Sequence, residues 1–553
     1  MLNGCPHSTF NIKHSTFLAL LFCAAAAHAE YRGFWVDTFN TALNNHDDVV
    51  AVVANARSAR ANALFVQVRR RGDAWYAQSR EPAPDFVPIA AGFDPLADLI
   101  AVAHADGIEV HAFVIVGAIW NKNPTFEPTS TLGPPRNPNH VFNRHGGYDP
   151  ISKTIAPGPD NWLTRTLLPD DGSAISFQGH RFGSDFWIDL GHPAAAAYTL
   201  NVVMDLVRDY AIDGLHLDRI RYPELSVSGQ TPSTGTSIGY NPTSVERFQR
   251  RYGITVGSVP PAANDSRWSQ WRRDQVTNFV RRVYLNAISI KPELKISAAL
   301  IAFGGGPTTE ASWNSAEAYW RVYQDWRAWT EEGILDLAIP MVYKAEHNAT
   351  TAIQFDQWTE WLKTHQYNRA GVIGIGAFVN AIEGTLRQTR RSLPGLAGVN
   401  FYSMATSNIA VQSTPQRSFA EFASALTTGK SVDGTTLYQA ADLPPPFAEP
   451  DSVPTLSWKA TPTAGHLMSF ARRPDGTAID SATVTIENTV THRVRTTMSD
   501  GDGFFGAVDL EPGQYLVKFE AGSEIFLGPL VSVVAGQVAH ADVGPRRRAV
   551  RTR

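Results

Sequence analysis

From Tyr31 to about Lys430 the chain alternates short runs of β-branched and aromatic residues with segments of helical period. The runs are RGFWVD (Arg32 to Asp37), ALFVQVR (Ala63 to Arg69), IEVHAFVIV (Ile108 to Val116), DGLHLD (Asp213 to Asp218), LKISAALIA (Leu294 to Ala302), LDLAIPMVY (Leu335 to Tyr343), GVIGIGAF (Gly371 to Phe378) and GVNFYSM (Gly398 to Met404). Each reads as a strand. Between them lie helix-length segments such as Pro193 to Tyr210, where Leu200, Val203, Val207 and Tyr210 recur at spacings of three and four. Eight such alternations predict an α/β fold, a (β/α)8 TIM barrel with insertions. An open doubly wound sheet is the alternative, but the first strand is not followed by a glycine-rich phosphate turn.

The longest interruption, Gly117 to Phe186, is rich in Pro, Asn, Gly and Asp. It follows the third strand, on the face where barrels build their sites, which predicts a substrate-facing loop. ADLPPPFAEPDSVP, Ala441 to Pro454, reads as a linker. Beyond it, alternating runs such as SATVTIE and QYLVKFE among the turn signals PDG, SDGDG and EPG predict a small all-β sandwich. The expected division is a leader at 1–29, the barrel at 30–436, a Pro-rich linker at 437–455, the sandwich at 456–544 and a solvated basic tail at 545–553.

The leader follows from the N-terminus. Lys13 precedes an apolar run from Phe17 to Ala27, and Ala27-His28-Ala29 stands before Glu30, the pattern of a secretory signal peptide cleaved after Ala29. The run is too short to span a bilayer, so no transmembrane segment is expected in the mature chain. Both cysteines, Cys5 and Cys23, lie in the leader; the mature chain then has neither a disulfide nor a thiol nucleophile, which suits a periplasmic or secreted bacterial protein. A net charge of -4 gives no basic field for nucleic acid. The 14 tryptophans are a reservoir of rings for stacking on sugar faces.

Period-two alternation gives several strands a polar row. In DGLHLDRIRYP (Asp213 to Pro223) it puts Gly214, His216 and Asp218 on one side and Leu215 and Leu217 on the other. A carboxylate is costly to bury unless it is paired or near water, so Asp218 is expected at a strand end facing a cleft, while Asp213 at the strand start reads as a structural cap. The same alternation pairs Trp35 with Asp37, Gln67 with Arg69, Glu109 with His111, Met341 with Tyr343 and Asn400 with Tyr402. Most of these fall near C-terminal strand ends, which in a barrel converge on one mouth.

RGFWVD, FVQVRRRGDAWY with Glu81-Pro82, FDPLADLIAVAHADGIEVHAF, WIDLGHP, DGLHLDRIRYP and IPMVY follow one another in the order found in the bacterial glycosyl-hydrolase-like family ten proteins, which the chain resembles from Tyr31 to Lys430. The resemblance implies a TIM barrel acting on glycans at the cell envelope, with some members cleaving peptidoglycan strands stripped of their peptides. It places the fourth-strand acid on Asp218 and the loop acid of the RxxGDAxY run on Asp73. The chain departs from the family at Arg219, where many members have a second Asp, and at Met341, where many carry Gln. DGDGFF and LEPGQYLVKF resemble the carboxypeptidase-regulatory or prealbumin-like domains.

Glycoside hydrolysis normally uses two carboxyl groups flanking the scissile bond. Asp218 is the first candidate; Asp73, Glu346 and Asp37 compete for the second place. Arg69, Arg221 and His216 are candidates to orient or acidify them, against a plain ion-pair network. Trp35, Trp75, Tyr222, Tyr343 and Tyr402 are candidates to stack sugar rings, and Asp37 and His111 complete the expected substrate-binding set. Neither metal nor cofactor is expected, since HExxH, paired His/Cys spacings and an EF-hand loop are missing from the sequence. The expected partner is a glycan in an envelope or extracellular polysaccharide, peptidoglycan strands among them. The alternative is a non-catalytic glycan-binding protein on the same barrel, suggested by the acid missing at Arg219; a deacetylase or lyase is disfavoured by the absent metal ligands.

Overall fold

The computed structural model describes residues 29–541 except 86, 122–133, 150–153, 157, 169–178 and 226–228. The expected leader, apart from its last residue, and the basic tail lie outside the described residues.

Eight strands close a parallel barrel: β1 (Tyr31–Val36), β2 (Ala63–Arg69), β3 (Glu109–Ile115), β4 (Gly214–Asp218), β5 (Lys295–Ile301), β6 (Leu337–Val342), β7 (Ala370–Gly376) and β8 (Gly398–Tyr402). Around the ring the order is β1-β8-β7-β6-β5-β4-β3-β2. All seven residues of β2 and of β7 are buried, because a parallel barrel strand meets helices outside and packed side chains inside. The intervening helices start on side-chain caps. Asp94 accepts from the Ala97 amide before helix Pro95–Ala105, and Asp265 accepts from the Arg267 and Trp268 amides before the long helix Ser266–Ile290.

Every tryptophan except Trp320 and Trp458 is buried. Trp268 and Trp271 stack 5.0 Å apart and Trp313 and Trp326 meet edge-on at 4.9 Å, so this reservoir is core packing rather than an exposed sugar platform.

The segment after β3 builds a small antiparallel sheet from Ala118–Asn121, Asp185–Trp187 and Arg181–Phe182, on the C-terminal side of the barrel. At the opposite end, the Pro-rich segment is bound along the barrel. Arg32 donates to the Glu449 carbonyl, Arg60 to that of Phe447 at 2.8 Å and Asn62 to that of Asp451 at 3.2 Å. Trp458 donates to Asp336 Oδ1 at 2.7 Å, and Lys459 pairs with Oδ2 at 3.1 Å.

The distal strands are β9 (Gly465–Phe470), β10 (Thr483–Asn488), β11 (Val494–Met498), β12 (Phe504–Leu510), β13 (Gly513–Ala521), β14 (Glu524–Val533) and β15 (Val538–Ala541). They form two sheets, β12-β9-β15 and β11-β10-β13-β14, which share one apolar core containing Leu467, Val484, Phe505, Val517 and Phe519. This unit sits on the long helix Ser266–Ile290. A Cβ at Gly506 would collide with Leu285, and Met468, Phe504 and Val508 belong to the barrel's own core.

Candidate active site

The floor of the mouth is a hydrogen-bonded chain of buried groups. Trp35 Nε1 donates to His216 Nε2 at 2.9 Å, and His216 Nδ1 lies 2.9 Å from Ser297 Oγ. An indole N–H can only donate, so Nε2 is the acceptor and the imidazole carries its proton on Nδ1. Burial holds this histidine neutral, well below its ordinary pKa, with His111 adding a smaller push in the same direction. His216 and Trp35 are at most 1% exposed. They support rather than touch a ligand: the Trp35 ring carries Tyr343 edge-on at 6.2 Å and Tyr402 at 6.1 Å.

On this floor the structure brings together Asp37, Asp218, Tyr343 and Tyr402. Burial raises the pKa of both tyrosines, and the Asp37 and Asp218 carboxylates add to it in each case. The two acids therefore approach the same pair of phenols from β1 and from β4. Tyr343 and Tyr402 stack at 5.5 Å and are half-buried, so they face the opening.

Asp218 ends β4 half-buried. Its Oδ1 accepts from the Arg219 amide at 2.7 Å. Burial pushes its carboxyl above the usual range, outweighing the Arg219 and Arg221 guanidiniums and that amide, all of which pull it down. Asp37 is 1% exposed. Its Oδ1 accepts from Asn40 at 3.1 Å (backbone) and 2.7 Å (side chain), while Oδ2 is buried with no hydrogen-bond partner. Gln67 holds the next residue, its Oε1 accepting from the Thr38 amide at 3.0 Å and hydroxyl at 2.8 Å.

Arg219 occupies left-handed backbone, φ 48°, where a non-glycine residue is strained. Its side chain pairs with Asp185, which also accepts from Arg71 Nε at 3.0 Å. Arg219 and Arg221 each lie 5.4 Å from the Trp187 ring. The strand Asp185–Trp187 is thus a wall of the mouth, pinned by Arg219.

The other candidates are engaged in contacts of their own. Arg69 is fully buried in a pair with Glu81 at 2.6 Å and also binds the Ile115 carbonyl at the end of β3. Asp73 organises its own turn, accepting from the Arg70 amide at 3.2 Å and the Arg71 amide at 2.8 Å. Glu346 is gripped by Arg391 through two 2.8 Å bonds, which pull its carboxyl below the ordinary range against the upward push of burial. His111 pairs in register with Gly214, the first residue of β4, and meets Glu109 at 3.1 Å, which puts it at the end of the barrel away from the mouth. Tyr222 is 2% exposed and donates to Asp189 at 3.0 Å; Trp75 is buried under Arg70. Arg221 is half-buried and pairs with Glu224 at 3.1 Å. Sequence reasoning missed Asp185 and Asn40, which carry no motif signal, and passed over Gln67, already aligned on the polar face of β2.

Among the described residues no helix is long and apolar enough to cross a membrane. The family model described as glycosyl hydrolase-like 10 matches residues 30–391, and that of the carboxypeptidase regulatory-like domain matches 470–544. Similar proteins include the glycosyl hydrolase DigH of Escherichia coli strain K12, 24% identical over 312 residues covering 54% of this chain and 58% of that protein. The glycosyl hydrolase YngK of Bacillus subtilis strain 168 is 20% identical over 325 residues, 57% of this chain and 52% of its own length. The matches therefore span little more than half the length of these relatives. The PgaB glycoside hydrolase domain of Bordetella bronchiseptica aligns at 12% identity with a TM-score of 0.43, covering 68% of this chain and 95% of that one. With the family model matched from the first barrel strand past the seventh, this chain belongs to the glycosyl hydrolase-like 10 family.

Proposed function

We propose that the protein is an exported glycosidase that cleaves glycan strands of the bacterial envelope, peptide-free peptidoglycan among them, with Asp218 as general acid and Asp37 as the facing carboxylate. The observation that carries this reading is the pairing of environments. Asp218 is a carboxyl pushed up by burial at a strand end, and Asp37 presents an unpartnered oxygen to the same two tyrosines. An acid that keeps its proton to higher pH can deliver it to the glycosidic oxygen as the bond to the anomeric carbon breaks. The second carboxylate either attacks that carbon, forming a glycosyl ester that water then hydrolyses, or takes a proton from a water that attacks it directly; on both routes one water is consumed per bond cleaved. Tyr343 and Tyr402 offer stacked rings and neutral hydroxyl donors at the opening. The leader pattern, ending at Ala29, supports export to the periplasm or beyond.

The test is release of reducing ends from purified, peptide-free glycan strands. Asp218→Asn and Asp37→Asn should each lower kcat by about a hundredfold or more with the fold intact by circular dichroism. Unchanged turnover in Asp218→Asn would sink the assignment.

A further inference from the structure

We propose that the C-terminal sandwich is part of the catalytic machinery's support: Asp480, through Arg247, holds the wall of the barrel mouth in position. The kinetic side of this proposal rests on the glycosidase reading above; the structural side does not.

The path starts at a half-buried ion pair and continues through buried hydrogen bonds. Asp480, on the segment entering β10, binds Arg247 in bidentate fashion, at 2.7 Å to Nε and 2.7 Å to Nη2. Arg247 lies on the barrel side of the boundary and is 5% exposed. Its remaining nitrogen, Nη1, donates to the Gly191 carbonyl and, at 3.0 Å, to Gln275. Gly191 in turn donates its amide to Asp189 Oδ1 at 2.9 Å, and the same oxygen accepts from the Tyr222 hydroxyl at 3.0 Å and from Ser244 at 3.0 Å. Both ends of this knot lead to the mouth. Asp189 lies just beyond Ile188, the residue after the strand Asp185–Trp187, which carries the partner of Arg219 and the ring beneath Arg219 and Arg221. Tyr222 closes the loop that leaves Asp218.

The geometry points to positioning rather than simple docking. Other cross-domain pairs exist, such as Arg369 with Asp509 at 2.6 Å and Arg282 with Asp500 at 2.9 Å, but the Arg369 and Arg282 nitrogens bind nothing on the mouth wall. Arg247 alone among these three cations reaches, through its third nitrogen, the Asp189–Gly191 turn that follows the wall strand. Without Asp480 a buried guanidinium loses its counter-charge and two of its three bonded nitrogens, and it is driven toward water, withdrawing Nη1 from Gly191.

Hydrogen exchange followed by mass spectrometry on the full chain tests this. In Asp480→Ala, peptides covering 185–192 and 219–222 should exchange about tenfold faster, while β1 and β2 stay as in the wild type. Asp480→Asn, which retains one acceptor oxygen, should give a weaker version of the same pattern, and Asp480→Glu should restore protection. Asp509→Ala, which breaks a cross-domain pair remote from the mouth wall, is the control. On peptide-free glycan strands, Asp480→Ala should lose about tenfold in kcat with KM little changed. Unaltered protection at 185–192 in Asp480→Ala, or the same loss in Asp509→Ala, would overturn the proposal. If the wild type leaves the strands intact, the glycosidase reading falls and the exchange pattern still decides the positioning role.

Discussion

At the scale of single residues, environment separates carboxyls that look alike in the sequence. Glu346 and Asp73 are held by cations or amides, Asp37 is half-satisfied, and Asp218 is raised by burial. For a carboxyl that must be protonated to act, the direction of that shift sets a pH dependence. Turnover is present below the raised pKa of Asp218 and is lost as pH rises through it. Arg219 lowers that pKa, so Arg219→Gln should let it rise further and move the alkaline limb of kcat to higher pH. A profile of kcat against pH checks this, and a limb that stays put or moves to lower pH would count against Asp218 as the acid. Asp218 was legible because the alternation of DGLHLD leaves it on the polar face at a strand end. Asp185, the partner of Arg219, was not, since a lone acid opening a three-residue strand has too little periodicity around it to betray it.

At the scale of elements, all eight barrel strands were legible, because a run of β-branched and aromatic residues bounded by turns has few other uses. Their relative heights were not. His111 and His216 show the same parity, yet the stagger of a closed barrel sets His111 beside the first residue of β4 and His216 beneath the mouth. That neighbour is Gly214 for a steric reason: a Cβ there would run into the His111 ring. Gly214→Ala should therefore cost about 1–3 kcal/mol of stability, measured by denaturant unfolding, whereas a neutral result would mean that the imidazole can move aside.

At the scale of the whole molecule, the Pro-rich segment that reads as a linker is tied by Arg32, Arg60 and Asn62 to the barrel end opposite the mouth. The sandwich beyond it shares apolar residues with the barrel core and forms ion pairs with it whose cations are buried and whose acids are partly exposed. Domains joined by a continuous core unfold together, so scanning calorimetry should show one cooperative transition; two resolved transitions would show that the contact is weak. The charge pattern hinted at neither fact, because Arg247, Arg282 and Arg369 are scattered along the barrel and their acids lie up to 233 residues away.

Local period, turn chemistry and ordered motifs were enough to fix the strands, the polar rows on them, the family and the presence of a distal β-unit. Which carboxyl is raised by burial, which histidine lies under the mouth, and how the second domain reaches toward the mouth wall emerge once the chain is folded. Those outcomes depend on desolvation and on pairing between side chains far apart in the chain, and neither leaves a mark on the local pattern.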